Sequence, residues 1–465
     1  MPDRSTKRQQ EAADRVPTLV ILGATSDLVS RLLLPGLGSL LAAEPARRVN
    51  VVGVGRRPFE GWNDIVRTSL SEAGVEADCT ERTVQAARYL ECDVTDPDQL
   101  PGFVADLPPD AVLYFALPPS VTMKVVAQLA DLPLPEGLRL GLEKPFGEGL
   151  ESAREFNRVL AGVLPEERIH RIDHFFGDST VLNILGFRFA NRLFQPVWNN
   201  QNIERVDIVA DEKLALEGRA GYYDTAGALV DMIQSHLLLV FAMTTMEEPT
   251  RMDPVELHDL MSHTLRATQV RGADGAAASR RARYSAGSIE GKDVPAYVDE
   301  EGVDPDNETE TLAEVDLEIR NSRWAGVPFT LRSGKALSQD RRRIVVTFKA
   351  VDHLMEGFGN TAPRNRIIID MKPDQVLVEV ATNGARNSFC FDQTVLDARI
   401  EEASITPYGE ILAGVLDGDP LLSIRADLAE ECWRVLAPVL QAWEEGKVPM
   451  QEYPAGSDGP DWDAA

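Results

Sequence analysis

The stretch LVILGATSDL, residues 19–28, holds four apolar residues, a glycine, a polar turn and then the first of a set of leucines at 28, 32, 33, 37, 40 and 41. A short unbroken apolar run closed by a turn predicts a strand buried on both faces, and leucines three and four apart predict one face of a helix. The pattern returns in VNVVGV (49–54), followed again by helical spacing. Strand, helix, strand in this order predicts a parallel sheet of the Rossmann type. AVLYFALPP (111–119) and LRLGLEKPFG (138–147) supply later buried strands that stop at prolines. Ligands on open sheets of this kind bind beyond the carboxyl ends of the strands, which makes Pro118 and Lys144 candidate cofactor contacts.

The texture changes beyond residue 171. IERVDIVADE (203–212), LAEVDLEIRN (312–321), RRIVVTFKAV (342–351), NRIIIDMKP (365–373) and QVLVEVATN (375–383) alternate apolar and polar residues. That alternation predicts antiparallel strands with one buried face. The expected organisation is a mobile tail over 1–16, a parallel-sheet α/β domain over 17–170, a larger α+β domain over 171–450 with a mostly antiparallel sheet and packed helices, and a loop or tail over 451–465.

The formal charge is −27, from 74 acidic and 47 basic residues. The acids are spread along the chain, which excludes nucleic acid and anionic membrane surfaces as expected partners. An anionic ligand then needs a locally basic pocket. Cys79, Cys92, Cys390 and Cys432 lie far apart with no CxxC spacing, and no metal site is expected. The start MPDRSTKRQQEAADRVP lacks the apolar core of a signal peptide, and the longest unbroken apolar run, Leu237 to Met243, is too short for a bilayer. The expected location is the cytoplasm.

GATSDL, that is Gly23, Ala24, Thr25, Ser26, Asp27 and Leu28, lies where a strand-to-helix turn binds a dinucleotide pyrophosphate. Only one glycine of the three-glycine fingerprint is present, and such turns also occur for purely geometric reasons. At the end of the second strand, where NAD-binding chains use an acid for the ribose hydroxyls, Arg56 and Arg57 stand instead. Guanidinium groups there suit the extra phosphate of NADP, with NAD as the second choice; the plainer alternative is two solvated arginines.

LEKPFG (142–147), RIDHFFG (171–177) and GYYDTAGALVDMIQSHLL (221–238) complete the set, together with FANRLFQPVWN (189–199), EGRAGYYD (217–224), GVPFTLRSGKAL (326–337) and YPAGSDGP (453–460). Over residues 18–460 the chain resembles the glucose-6-phosphate dehydrogenase family. The resemblance implies oxidation of a hemiacetal carbon to a lactone with hydride passing to NADP, and a homodimer or homotetramer assembled through the large sheet. It implies that His236 is the base and Asp173 its carboxylate partner, since hydride leaves that carbon only as the hydroxyl proton is taken. Lys144 bridges sugar and cofactor by the same resemblance, and Glu212 and Asp231 accept hydrogen bonds from sugar hydroxyls. Without the motifs, His236 reads equally as a satisfied core histidine and Asp231 as a solvated helix residue.

The family pattern RIDHYLGKE binds the sugar phosphate through His, Tyr and Lys. Here His174 is kept, Phe175 lacks the hydroxyl and Asp178 replaces the lysine. Lys335 is kept, but Asp340 falls where many members carry a cation, and Ser26, Ser30 and Leu32 depart in the cofactor loop. At an effective dielectric of about 20, one charge pair at about 4 Å is worth about 4 kcal/mol, so two such reversals bear directly on substrate choice. Arg341, Arg342 or Arg343 could restore the charge, although on a strand they alternate faces. The alternatives are a rebuilt phosphate site, the same chemistry on an unphosphorylated or differently substituted sugar, or a non-catalytic paralogue that binds nucleotide or partners.

Overall fold

The computed structural model describes residues 16–218 and 220–462. The tail expected over 1–16 lies outside them except for Val16. The chain divides into two compact units. One runs to Ser179 and adds Pro249–Leu260 and Ala403–Glu430; the other comprises Thr180–Glu248, Met261–Glu402 and the chain from Glu431 onward.

The first unit is built on a six-stranded sheet ordered Arg88–Glu91, Asn50–Gly55, Thr18–Leu22, Ala111–Phe115, Arg139–Glu143, Ile169–Ile172. Every pairing is parallel. Alternate residues of one strand enter different cores: Leu19 and Ile21 pack with Leu33, Leu37 and Val51, while Val20 and Leu22 pack with Val52, Leu113 and Val125. Both faces of the four inner strands are covered, which is why those strands read as apolar runs, whereas the edge strand Arg88–Glu91 is largely exposed. Strand order reverses between Thr18–Leu22 and Ala111–Phe115, the switch point at which such sheets bind ligands.

Two features depart from the expected boundaries of this unit. Ile169–Ile172 is the sixth parallel strand, so the unit passes residue 170. The helix Pro407–Asp417 also belongs here, with Tyr408, Ile411, Leu412 and Leu416 in the core beside Leu37 and Leu41. Arg47, nearly fully buried, fastens it with two hydrogen bonds to Asp417 at 2.8 and 3.0 Å. An amphipathic period marks a buried face without saying what covers it.

The second unit holds a ten-stranded sheet. Its path runs Phe391–Arg399, Asp374–Asn383, Arg366–Met371, Arg341–Phe348, Ile203–Asp211, Phe329–Gly334, Leu312–Ile319, Ser279–Ser285 and Met450–Pro454, with Thr268–Val270 pairing to Leu312–Ile319 off that path. All pairs are antiparallel except Ile203–Asp211 with Phe329–Gly334 and Ser279–Ser285 with Met450–Pro454. Met450–Pro454 corrects the expected loop or tail over 451–465: Tyr453 is buried in this unit's core, and its hydroxyl donates to the Lys335 carbonyl at 2.7 Å. A strand-ending proline and a glycine-rich sequel concealed this one anchoring aromatic.

The helical run Ala220–Thr245 is apolar and long enough to cross a membrane, with mean hydropathy 1.6 over an 18-residue window, but 78% of that window is buried within the protein. Leu237 to Met243, all fully or nearly fully buried, form its core-facing end. It is a core helix.

Candidate functional site

In the first unit the turn after Thr18–Leu22 requires glycine. Gly23 has φ +82°, and a Cβ there would lie 2.3 Å from the Ala116 carbonyl oxygen. The Gly23 and Ala24 N–H groups both donate to Val54 O, at 3.0 and 3.1 Å, and Ser26 N–H closes the turn on Gly23 O. Thr25 and Asp27 are exposed, Leu28 half-buried, and the π-helical turn Val29–Leu33 continues into the helix Leu34–Ala43. The Ser26 hydroxyl is buried with no partner among the described residues. A close-approach glycine, an unsatisfied hydroxyl and a helix start together fit a pyridine nucleotide's pyrophosphate. Arg56 is exposed just past Asn50–Gly55, where the Tyr89 hydroxyl fixes the turn by donating to Arg57 O at 2.9 Å. Pro118 caps the helix Pro119–Leu129, its carbonyl accepting from Val121 and Thr122.

Lys144 leaves the strand Arg139–Glu143 half-buried, into a cluster that sequence reasoning only partly found. Asp173 is almost fully buried and accepts the Phe175 N–H at 3.0 Å, capping the short turn His174–Gly177. Burial raises its pKa to about 6, opposed by the charges of His174 and Lys144. The His174 ring stacks on Tyr408 at 5.9 Å and 10°. Glu143 accepts a short hydrogen bond from Tyr114 and is pushed by burial to about 7, with Tyr114, Lys144 and Tyr408 opposing. Lys144, Asp173 and His174 are thus brought together, and Glu143, Tyr114 and Tyr408 join them unannounced. Phe175 is buried, and Asp178, half-buried, stands immediately before the helix Ser179–Phe189, a position any helix favours for a carboxylate.

The second unit collects the other predicted residues. Glu212 follows Ile203–Asp211 and is tied to Gly334 O through its N–H at 2.8 Å. Its carboxylate takes Lys335 Nζ on Oε2 and Arg342 Nη2 on Oε1, each at 2.7 Å. Burial pushes the Glu212 carboxyl up, but these two cations outweigh it and hold it below its usual range. The Lys335 ammonium also lies over the Tyr223 ring, 5.0 Å from its centre.

Asp231 and His236 ride on the π-helical segment Leu229–Leu237. Five residues apart, they sit about one turn apart when hydrogen bonds run i to i+5, whereas an α-helix would splay them. His236 is buried and Asp231 half-buried, the latter helping burial to raise the Tyr222 and Tyr223 hydroxyls. The segment is set by two residues that sequence reasoning missed. Gly227 breaks the helix with φ +63°, and the buried Glu310 carboxylate accepts the Leu229 N–H at 2.8 Å. Gly227 in TAGAL and Glu310 in ETET each carry a turn or charge signal, but nothing in sequence spacing pairs them.

Comparison with known proteins covers both units. Residues 20–183 match the family model described as glucose-6-phosphate dehydrogenase, NAD binding domain, and residues 185–464 match its C-terminal domain. The chain is 35% identical to glucose-6-phosphate 1-dehydrogenase of Treponema pallidum over 95% of its own length and 92% of the relative's. It is similar to the crystal structure of glucose-6-phosphate 1-dehydrogenase from Mycobacterium avium, with TM-score 0.84, 29% identity and coverage of 96% and 95% of the two chains. It is also similar to a glucose-6-phosphate dehydrogenase solved in complex with glucose 6-phosphate, with TM-score 0.86, 28% identity and coverage of 97% and 96%.

Proposed function

Since the chain belongs to the glucose-6-phosphate dehydrogenase family, we propose that it oxidises the anomeric carbon of glucose 6-phosphate to the lactone, with a pyridine nucleotide taking the hydride. What carries this reading is a family match spanning both units in a chain that keeps Lys144, Asp173, His174, Glu212, Asp231, His236 and Lys335 at the motif positions. The nucleotide supplies a hydride acceptor. The chain's own residues must take the hydroxyl proton and hold the sugar still. His236 is assigned as the base and Asp173 as its supporting carboxylate; Lys144 contacts sugar and cofactor, while Glu212 and Asp231 accept from sugar hydroxyls.

NADP is preferred to NAD in this reading because Arg56 occupies the place at the second strand's end where an acid would favour NAD. The Gly23 turn, with the unsatisfied Ser26 hydroxyl, receives the pyrophosphate. A second copy of this chain is proposed as the partner, through the outer strands of the large sheet. Four cysteines without a disulfide accord with a cytoplasmic location.

The test is a set of initial rates for NADP and NAD reduction with glucose 6-phosphate and with glucose. Saturation at low glucose 6-phosphate with NADP is expected. Turnover of glucose alone would overturn the substrate, and silence on both sugars would overturn the activity.

A further inference from the structure

Asp340 stands where a cation is expected, and its carboxylate is engaged with the backbone, Oδ1 accepting the Lys213 N–H at 2.9 Å. The chain then enters Arg341–Phe348, where neighbouring side chains point to opposite faces. Arg341 pairs with Asp458 at 2.8 Å and Arg343 with Asp370 at 2.8 Å. Arg342, of the other parity, reaches Glu212 instead.

Lys335 and Glu212 alone form a neutral pair; Arg342 makes the trio cationic in a chain of net charge −27. Glu212 and Lys335 are sheltered, with side chains 15% and 11% exposed, and Arg342 is 34% exposed, so solvent screens this charge less than a surface one. Lys335 is also firmly placed. Its N–H donates to Thr311 O at 2.8 Å, its carbonyl accepts from Tyr453, and Ala336 after it holds a left-handed φ of 51°. A non-glycine residue in that region costs about 1–2 kcal/mol, and such strain persists where surrounding bonds over-determine it.

Resting on glucose 6-phosphate as the substrate and deepening that reading, we propose that Arg342 is a specificity-determining residue: spaced from Lys335 by Glu212, it completes a two-cation seat for the phosphoryl group of the sugar phosphate. The seat supplies, two residues on and on the strand face opposite to Arg341 and Arg343, the charge that Asp340 lacks. A guanidinium fork beside an ammonium matches the tetrahedral oxygens of a phosphate, whereas a neutral hydroxyl would leave the excess charge uncompensated.

The test uses the full chain as wild type, Arg342→Gln, Arg342→Lys and Arg341→Gln. Steady-state constants are measured for glucose 6-phosphate and glucose, and inorganic phosphate binding is measured by calorimetry. Arg342→Gln is expected to raise KM for glucose 6-phosphate by about tenfold or more, as for loss of one charge-assisted contact, and to weaken phosphate binding. The loss on glucose 6-phosphate should clearly exceed any loss on glucose, Arg342→Lys should recover part of it, and Arg341→Gln should resemble wild type. An unchanged KM and phosphate affinity in Arg342→Gln would overturn the seat, as would equal losses on both sugars, which mark a merely structural ion pair. If the wild type oxidises glucose alone, the substrate reading fails, and phosphate binding that depends on Arg342 would still uphold the seat while its absence would remove it.

Discussion

His236 is buried on a helix whose apolar sequel gave no reason to suspect chemistry, so its role must be separated from its packing. His236→Asn keeps the size and much of the polarity of the ring while removing the proposed base. Turnover is expected to fall by about a hundredfold or more, with the melting temperature little changed. Wild-type turnover in a folded His236→Asn protein would remove the base. Arg56 is the opposite case, exposed and simple to change. A charge-assisted contact to the additional phosphate is worth about 1.5–3 kcal/mol, so Arg56→Ala should lower the NADP/NAD ratio of kcat/KM by about tenfold to a hundredfold. An unchanged ratio would move the cofactor selector elsewhere. Both residues stood out in the sequence as candidates because a motif surrounds them. Arg342 was legible only as one of three adjacent arginines; choosing among them needed strand parity and the place of Asp340.

At the scale of elements, the segment Leu229–Leu237 depends on a buried carboxylate for its start. Burial raises the Glu310 pKa to about 7 from the usual 4.5. The folded protein therefore holds a proton that the unfolded chain releases earlier. Stability from this group is fully present below about pH 4.5 and is lost as pH rises through about 7, a change of about 3 kcal/mol at about 1.4 kcal/mol for each unit. Glu310→Gln keeps an acceptor for Leu229 without the ionisation, and chemical denaturation across that window should show a flatter dependence than wild type. Equal slopes in the two proteins would exclude the assignment. Gly227→Ala acts on the same element: its Cβ would lie 2.3 Å from Glu310 Oε1, at a backbone angle that alanine disfavours. It is expected to destabilise by more than about 1 kcal/mol and to lower turnover with it. The four inner parallel strands were legible because two buried faces leave apolar runs, and strands such as Ile203–Asp211 and Leu312–Ile319 because one buried face leaves alternation. The carboxylate cap and the core position of Pro407–Asp417 were not, since each joins residues distant in sequence through packing that no local period encodes.

For the whole molecule, the outer edge of the large sheet poses a question that a single chain leaves unanswered. In Phe391–Arg399 every residue after the first is exposed, and the neighbouring Asp374–Asn383 is no more than half-buried at any position. Val395 and Leu396, adjacent and therefore on opposite faces, are 49% and 56% exposed. The strand went unread in the sequence because DQTVLDAR carries no alternation, and no alternation is what a strand open on both faces should show. Antiparallel sheets ordinarily cover at least one face, so apolar side chains on both sides of an edge ask for a covering surface from another chain. The proposed second copy meets a net charge of −27 on each partner, which opposes association most at low salt. Sedimentation at micromolar concentration should therefore give an oligomer that tightens as salt is added, and Leu396→Glu, which places a charge in the apolar contact, should shift it toward monomer. A wild-type chain that sediments as a monomer at every salt concentration, or a Leu396→Glu chain that associates as wild type does, would remove this edge as the interface.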